Sequence, residues 1–213
     1  MSHFAVYVFS KDKDIEELLA PYDENIKYPP YIKYTREQAI AKVRKDIDDY
    51  YNSTYKEFIA DPEGYKEKFG SNSDHIKYLE EEFPKKLNWT DEECYEEMKI
   101  WYEDIDEEGN LYSTYNPKSK WDWYSIGGRW NNILITKEGT ETNEDYANQI
   151  DWNKTATPFA FVTPIGVWHE KGEMGWWAMV SNEKDKNDWE TEFKKFLDTL
   201  DDDVTVTLID CHI

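Results

Sequence analysis

His3-Phe4-Ala5-Val6-Tyr7-Val8-Phe9 decides how the chain is read. Its residues are β-branched or aromatic, and apolar side chains fall at odd and even positions alike. That pattern predicts a strand covered on both faces, inside a sheet rather than at its edge. A second such stretch closes the chain: over 204–213, Val204, Val206 and Leu208 face one way and Thr205 and Thr207 the other.

Working inward, residues 14–19 predict a short helix that ends at Pro21, and 22–34, with Pro29-Pro30, an extended loop. Thr35-Arg36-Glu37-Gln38 has the form of a capping box and opens a long helix toward Ala60. Asp61-Pro62 starts another short helix, residues 73–83 a further one broken by Pro84, and Thr90-Asp91-Glu92-Glu93 repeats the box ahead of a helix to about Ile105. From Trp121 the pattern changes to strands over 121–126, 132–137, 158–163, 167–170 and 176–181, with Pro164-Ile165-Gly166 as a hairpin turn. Residues 185–200 form an amphipathic helix, with Trp189, Phe193, Phe196, Leu197 and Leu200 at helical spacing.

This order predicts an α+β fold, an antiparallel sheet with helices packed on it. The specific expectation is a ferredoxin-like core in a single domain over 1–213, with 22–117 as a mostly helical insertion. In that topology the first and last strands are antiparallel neighbours. His3 then lies close to His212, with Asp210 on the same strand face as His212.

The formal charge of -21 opposes contact with DNA, RNA or an anionic membrane surface. Aromatic residues make up 16% of the chain, which argues for a packed core, since disordered acidic chains are aromatic-poor. No apolar run approaches a bilayer span, and Met1-Ser2-His3-Phe4 lacks the basic-then-apolar pattern of a signal peptide. Cys94 and Cys211 alone make no disulfide framework. A soluble cytoplasmic protein is expected.

The candidate site comes from Trp121-Asp122-Trp123-Tyr124-Ser125-Ile126-Gly127-Gly128-Arg129-Trp130 and from Lys171-Gly172-Glu173-Met174-Gly175-Trp176-Trp177. A core needing only volume uses Leu, Ile or Val, whereas Trp and Tyr add flat faces and a polar donor. The plain reading is a twisted strand with a bulge, then a hairpin that buries one Trp. If the two segments converge, Trp123, Tyr124, Trp130, Trp176 and Trp177 form stacking walls, with Trp121 and Glu173 beside them. Gly127 and Gly128 then offer backbone amides, and Arg129 grips a phosphate or carboxylate through its planar fork.

Other signals are weaker. Asp104, Asp106, Glu108, Gly109 and Asn110 imitate the first half of a calcium loop, but Tyr115 stands where the bidentate Glu belongs. A solvated acidic helix end is the expected reading, with no metal or cofactor. The histidines His3, His75, His169 and His212 show no metal spacing, and the ordinary reading of His3 with His212 is a hydrogen-bonded strand-end pair. Nucleophile motifs, a P-loop and a dinucleotide fingerprint are absent, so no catalytic residue is assigned. The acids Glu80, Glu81, Glu82, Asp91, Glu92, Glu93, Glu96 and Glu97 read as a solvated helical face, or as mimicry of a phosphate backbone.

Several of these segments together resemble a family of small proteins encoded by phages and prophages. They are Met1-Ser2-His3-Phe4, Leu19-Ala20-Pro21-Tyr22-Asp23-Glu24-Asn25, Phe83-Pro84-Lys85-Lys86-Leu87-Asn88-Trp89-Thr90, the Trp121–Trp130 segment, Gly172-Glu173-Met174-Gly175-Trp176-Trp177 and Asp210-Cys211-His212-Ile213. The resemblance implies a setting, a phage accessory protein acting in the host cytoplasm, and carries over no catalytic residue. The expected function is counter-defence by sequestering a small nucleotide-like ligand such as a cyclic nucleotide immune signal, by binding rather than turnover. Two alternatives stand beside it. One is an acidic protein–protein inhibitor of a host defence protein; the other is a small hydrolase in which Asp122 and Glu173 are paired carboxylates.

Overall fold

In the computed structural model the first strand, His3–Ser10, lies inside a sheet, as its two apolar faces require. The structure describes residues 2–69, 73–175 and 178–213. It divides into two units, the chain up to Tyr28 with Tyr115–Ile213, and Pro29–Thr114.

The first unit is built on a mixed sheet in the order Trp123–Ile126, Thr205–His212, His3–Ser10, Ala160–Val162, Trp168–Glu170, with Glu144–Tyr146 also paired to the last strand. First and last strands run antiparallel from His3 opposite His212 to Ser10 opposite Thr205. Side chains alternate between faces. Ala5, Tyr7 and Phe9 join Val206, Leu208, Phe161 and, from the helix Lys186–Leu197, Trp189 and Phe193. Phe4, Val6 and Val8 join Leu18, Leu19, Trp121, Ile209 and Cys211 on the other face. Burying each such side chain fully contributes about 1.5–3 kcal/mol, so the central strand pair is the main source of cohesion.

The fold is α+β, but the sheet is not wholly antiparallel. Val6, Tyr7 and Val8 pair in parallel with Ala160, Phe161 and Val162. A ferredoxin-like core flanks its first strand with antiparallel neighbours, and that arrangement is not formed here. The reason lies in the hairpin joining Ala160–Val162 to Trp168–Glu170, which turns at Gly166 with φ +89°. Its first strand is buried at every position, whereas Trp168, His169 and Glu170 are half-buried. The more apolar strand therefore takes the interior place.

The second unit is mostly helical. Thr35 and Thr90 close both expected capping boxes, onto Gln38 and Glu93, at the heads of Arg36–Tyr50 and Asp91–Lys99. Pro84 does not break its helix; it sits in the first turn of Phe83–Lys86, where no N–H is needed. The expected loop hides a strand, Tyr31–Tyr34, paired with Leu111–Ser113. Helix Asp91–Lys99 stops well short of Ile105, leaving Ile100 and Trp101 exposed. In the calcium-like segment, the Asp106 carboxylate accepts from the backbone amides of Glu108 and Asn110 and from the Asn110 side chain, a self-satisfied turn. No helix among the described residues is long and apolar enough to cross a membrane.

Glu192, on the Lys186–Leu197 helix, accepts from His169 Nδ1 at 3.1 Å and Lys184 Nζ at 2.8 Å. Burial alone would raise its pKa, but these two donors outweigh burial and hold it below the ordinary carboxylate value. A depressed folded pKa gives stability that is complete above the unfolded value and fades as pH falls through the folded one. Glu192→Gln should therefore flatten the loss of urea stability below about pH 4. An acid limb identical to that of the parent protein would contradict this.

Candidate functional site

The register that pairs His3 with His212 also pairs His212 with Trp123. Three rings from three adjacent strands therefore share one face at one end of the sheet. Trp123 stacks on His212 with centroids 5.2 Å apart and planes 19° apart. His3 meets both edge-on, at 4.9 Å from His212 and 5.5 Å from Trp123.

A carboxylate orients each imidazole. His3 Nδ1 donates to Asp210 Oδ1 at 3.0 Å, and His212 Nδ1 to Asp122 Oδ1 at 2.5 Å. An ionised carboxylate only accepts, so Nδ1 bears the proton in both bonds. Nε2 of His212 is sealed from solvent and has no hydrogen-bond partner among the described residues. Buried polar atoms are nearly always paired, so this nitrogen calls for a reason. Cys211, between Asp210 and His212, points to the opposite face. Burial pushes its thiol far above the ordinary value, which leaves no thiolate for chemistry.

Asp210 is only 2% exposed. Its second oxygen, Oδ2, accepts from the backbone amide of Arg129 at 2.9 Å. Here the glycine pair has its physical role. Gly128 has φ +51°, and a Cβ there would lie 2.7 Å from the Asp210 Cγ. At Gly127, φ +73°, a Cβ would lie 2.6 Å from Asn143 Nδ2 and 2.7 Å from Asn131 Oδ1. The Gly127 amide is itself committed to Leu208 O at 2.9 Å. The loop does wrap an anion, and that anion is the protein's own Asp210.

The remaining predicted residues divide. Trp121 is 7% exposed and lies in the core, its Nε1 donating to Leu19 O at 3.2 Å. Tyr124 meets Trp121 edge-on at 5.1 Å, on the face opposite to Trp123. Trp130 is half-buried against the Trp189 and Phe193 core. Trp123 is 45% exposed. The Arg129 side chain is exposed and makes no ion pair among the described residues. Glu173 pairs opposite Ser181 in the short ribbon Glu173–Met174/Val180–Ser181. Trp176 and Trp177 lie outside the described residues. Their flanks are tied to the start of the first strand: Ser2 Oγ donates to Gly175 O at 2.8 Å and accepts from Ala178 N at 2.7 Å. Met174 packs against the Phe4 and Val6 face, opposite to His3. Trp121, Tyr124 and Met174 thus share the Phe4 and Val6 face, while Trp123 lies on the opposite one.

Sequence reasoning missed Asp122 as a histidine partner and Asp210 as the loop's anion. The spacing of two between Asp210 and His212 already places both on one strand face, but it names neither Asp122 as a partner nor the loop that Asp210 anchors. Comparison with family models, with curated proteins and with solved structures found no match to this chain.

Gly128→Ala should cost more stability than Gly139→Ala in urea unfolding. Both positions have positive φ, but a Cβ at Gly139 meets nothing within 4 Å. Backbone strain alone costs about 1–3 kcal/mol, and the collision with Asp210 adds to it only at Gly128. Equal losses would contradict the cradle.

Proposed function

We propose that this protein binds a small nucleotide-like ligand at the sheet end formed by Trp123, Arg129 and the two carboxylate-held histidines. In the setting the resemblance implies, it acts as a phage counter-defence protein that sequesters a nucleotide immune signal, such as a cyclic nucleotide, in the host cytoplasm. The observation that carries this is an exposed indole on Trp123, backed by His212, on a strand that leads into a loop whose exposed Arg129 guanidinium makes no ion pair among the described residues. A base stacked on an aromatic face gains about 1–3 kcal/mol. A guanidinium fork supplies a phosphate with paired donors. The chain's charge of -21 repels anions at long range, so affinity rests on these short-range contacts.

Reading the acidic helices as a nucleic-acid mimic gains less support. Several of their carboxylates already hold cations: Asp91 with Arg44, Glu82 with Lys85, Glu96 with Lys99 and Glu97 with Lys86. Turnover has one specific observation in its favour, the two aspartate–histidine pairs, since a carboxylate-oriented imidazole is the usual unit of general acid–base catalysis.

Calorimetry against cyclic di- and trinucleotides and cyclic ADP-ribose isomers tests the binding. We expect saturable heat with one of them, weakened about tenfold or more by Trp123→Ala and by Arg129→Ala. Ligand recovered intact supports sequestration, and cleaved ligand supports the hydrolase. No heat with any of them contradicts both.

A further inference from the structure

The opposite end of the same sheet holds different chemistry. Where the first strand ends and the Pro164-Ile165-Gly166 turn lies, a cavity of about 530 Å³ opens beside the Lys186–Leu197 helix. Its apolar wall comes from Ile165, Val167, Phe196 and Leu200. Cavities of roughly 300–1,000 Å³ with apolar walls and a few convergent polar groups are the usual form of a small-molecule site.

The polar groups decide what such a site accepts. Lys11 Nζ is consumed by two carboxylates, Asp201 Oδ2 and Asp203 Oδ1, each at 2.9 Å. Those two bonds hold its pKa above the ordinary lysine value, so it remains a bound cation. Two carboxylates on one ammonium leave this cluster negative. Asp12, on the same rim, makes no ion pair among the described residues. Thr199 Oγ1 is spent as a donor on Phe196 O at 2.6 Å, and Thr163 Oγ1 accepts from Val167 N at 3.0 Å. His169 also lines the cavity. Its ring is fixed flat on Phe161, with centroids 4.6 Å apart and planes 6° apart, and its Nδ1 is held by Glu192. Among the described residues the rim therefore offers carboxylate acceptors and uncompensated negative charge, and its lysine is already paired.

We infer that this cavity binds a small organic cation, an aromatic or branched apolar body carrying a primary ammonium. The ammonium is held by Asp12 and the Asp201 edge, and the body lies against Phe196 and Ile165. The chain's overall charge raises the local concentration of cations and so favours the same ligand class. This site is independent of the Trp123 end.

Titration of the full chain with tryptamine tests it, by calorimetry and by the ring signals of the four histidines. The expected result is saturable binding that moves the His169 signals and leaves those of His3 in place. Asp12→Asn, at an exposed position, should keep the fold and weaken binding about tenfold. Phenylacetate, with the opposite charge, should not bind, and spermidine, with no apolar body, should bind more weakly. Failure of tryptamine to saturate, equal binding of phenylacetate or spermidine, indifference to Asp12→Asn, or shifts confined to other histidines would each overturn the inference.

Discussion

The carboxylate of Asp210 organises the end of the first unit's sheet where Trp123, His212 and His3 meet. Taking an ion out of water costs several kcal/mol unless polar contacts replace the lost hydration. His3 Nδ1 and the Arg129 amide supply those contacts, one to each oxygen. For the amide to reach in, the backbone must pass where no Cβ fits, and that requires glycine at 128. The Trp123–Ile126 strand must also run beside Ile209–His212 in the observed register, so that the loop leaves the sheet next to Asp210. Register, glycine pair and histidine orientation are thus one linked set of constraints.

The outward chemistry follows from that inward bond. Arg129 gives its amide to Asp210 and leaves its guanidinium exposed. Trp123 is carried to the surface by the strand that delivers Asp122 to His212. At the far end of the strand pair, Val204 and, from the Lys186–Leu197 helix, Phe196 lie beside a rim of carboxylates. One sheet therefore presents an indole and a guanidinium at one end and net negative charge at the other.

Much of the fold was legible because single strands and helices carry their own signals. The two-faced apolarity of 3–9, the alternation over 204–213 and the Thr35 and Thr90 boxes each state a local structure directly. The neighbour relation of His3 and His212 followed from strand order. The parallel docking of Ala160–Val162 did not, because choosing which hairpin strand lies inside depends on comparing burial across the whole sheet. The Trp-rich motif was legible as unusual but not as to cause. Its glycines read equally well as a phosphate cradle or a bend, and only coordinates reveal that the anion they enclose is eighty-odd residues away in the same chain. Trp121 and Trp123, two apart, would share a face in a regular strand; the paired strand begins only at Trp123, and Trp121 turns into the opposite core.

Nitrogen-15 NMR of the histidine rings tests the central claim most directly. The aspartate-held arrangement requires that Nδ1, not Nε2, carry the proton in the neutral rings of both His3 and His212. It also requires that Asp210→Asn disturb the His3 ring nitrogens while the Nδ1 proton of His212, held by Asp122, stays in place. An Nε2-protonated neutral ring at either position, or a His3 ring indifferent to Asp210→Asn, would contradict it.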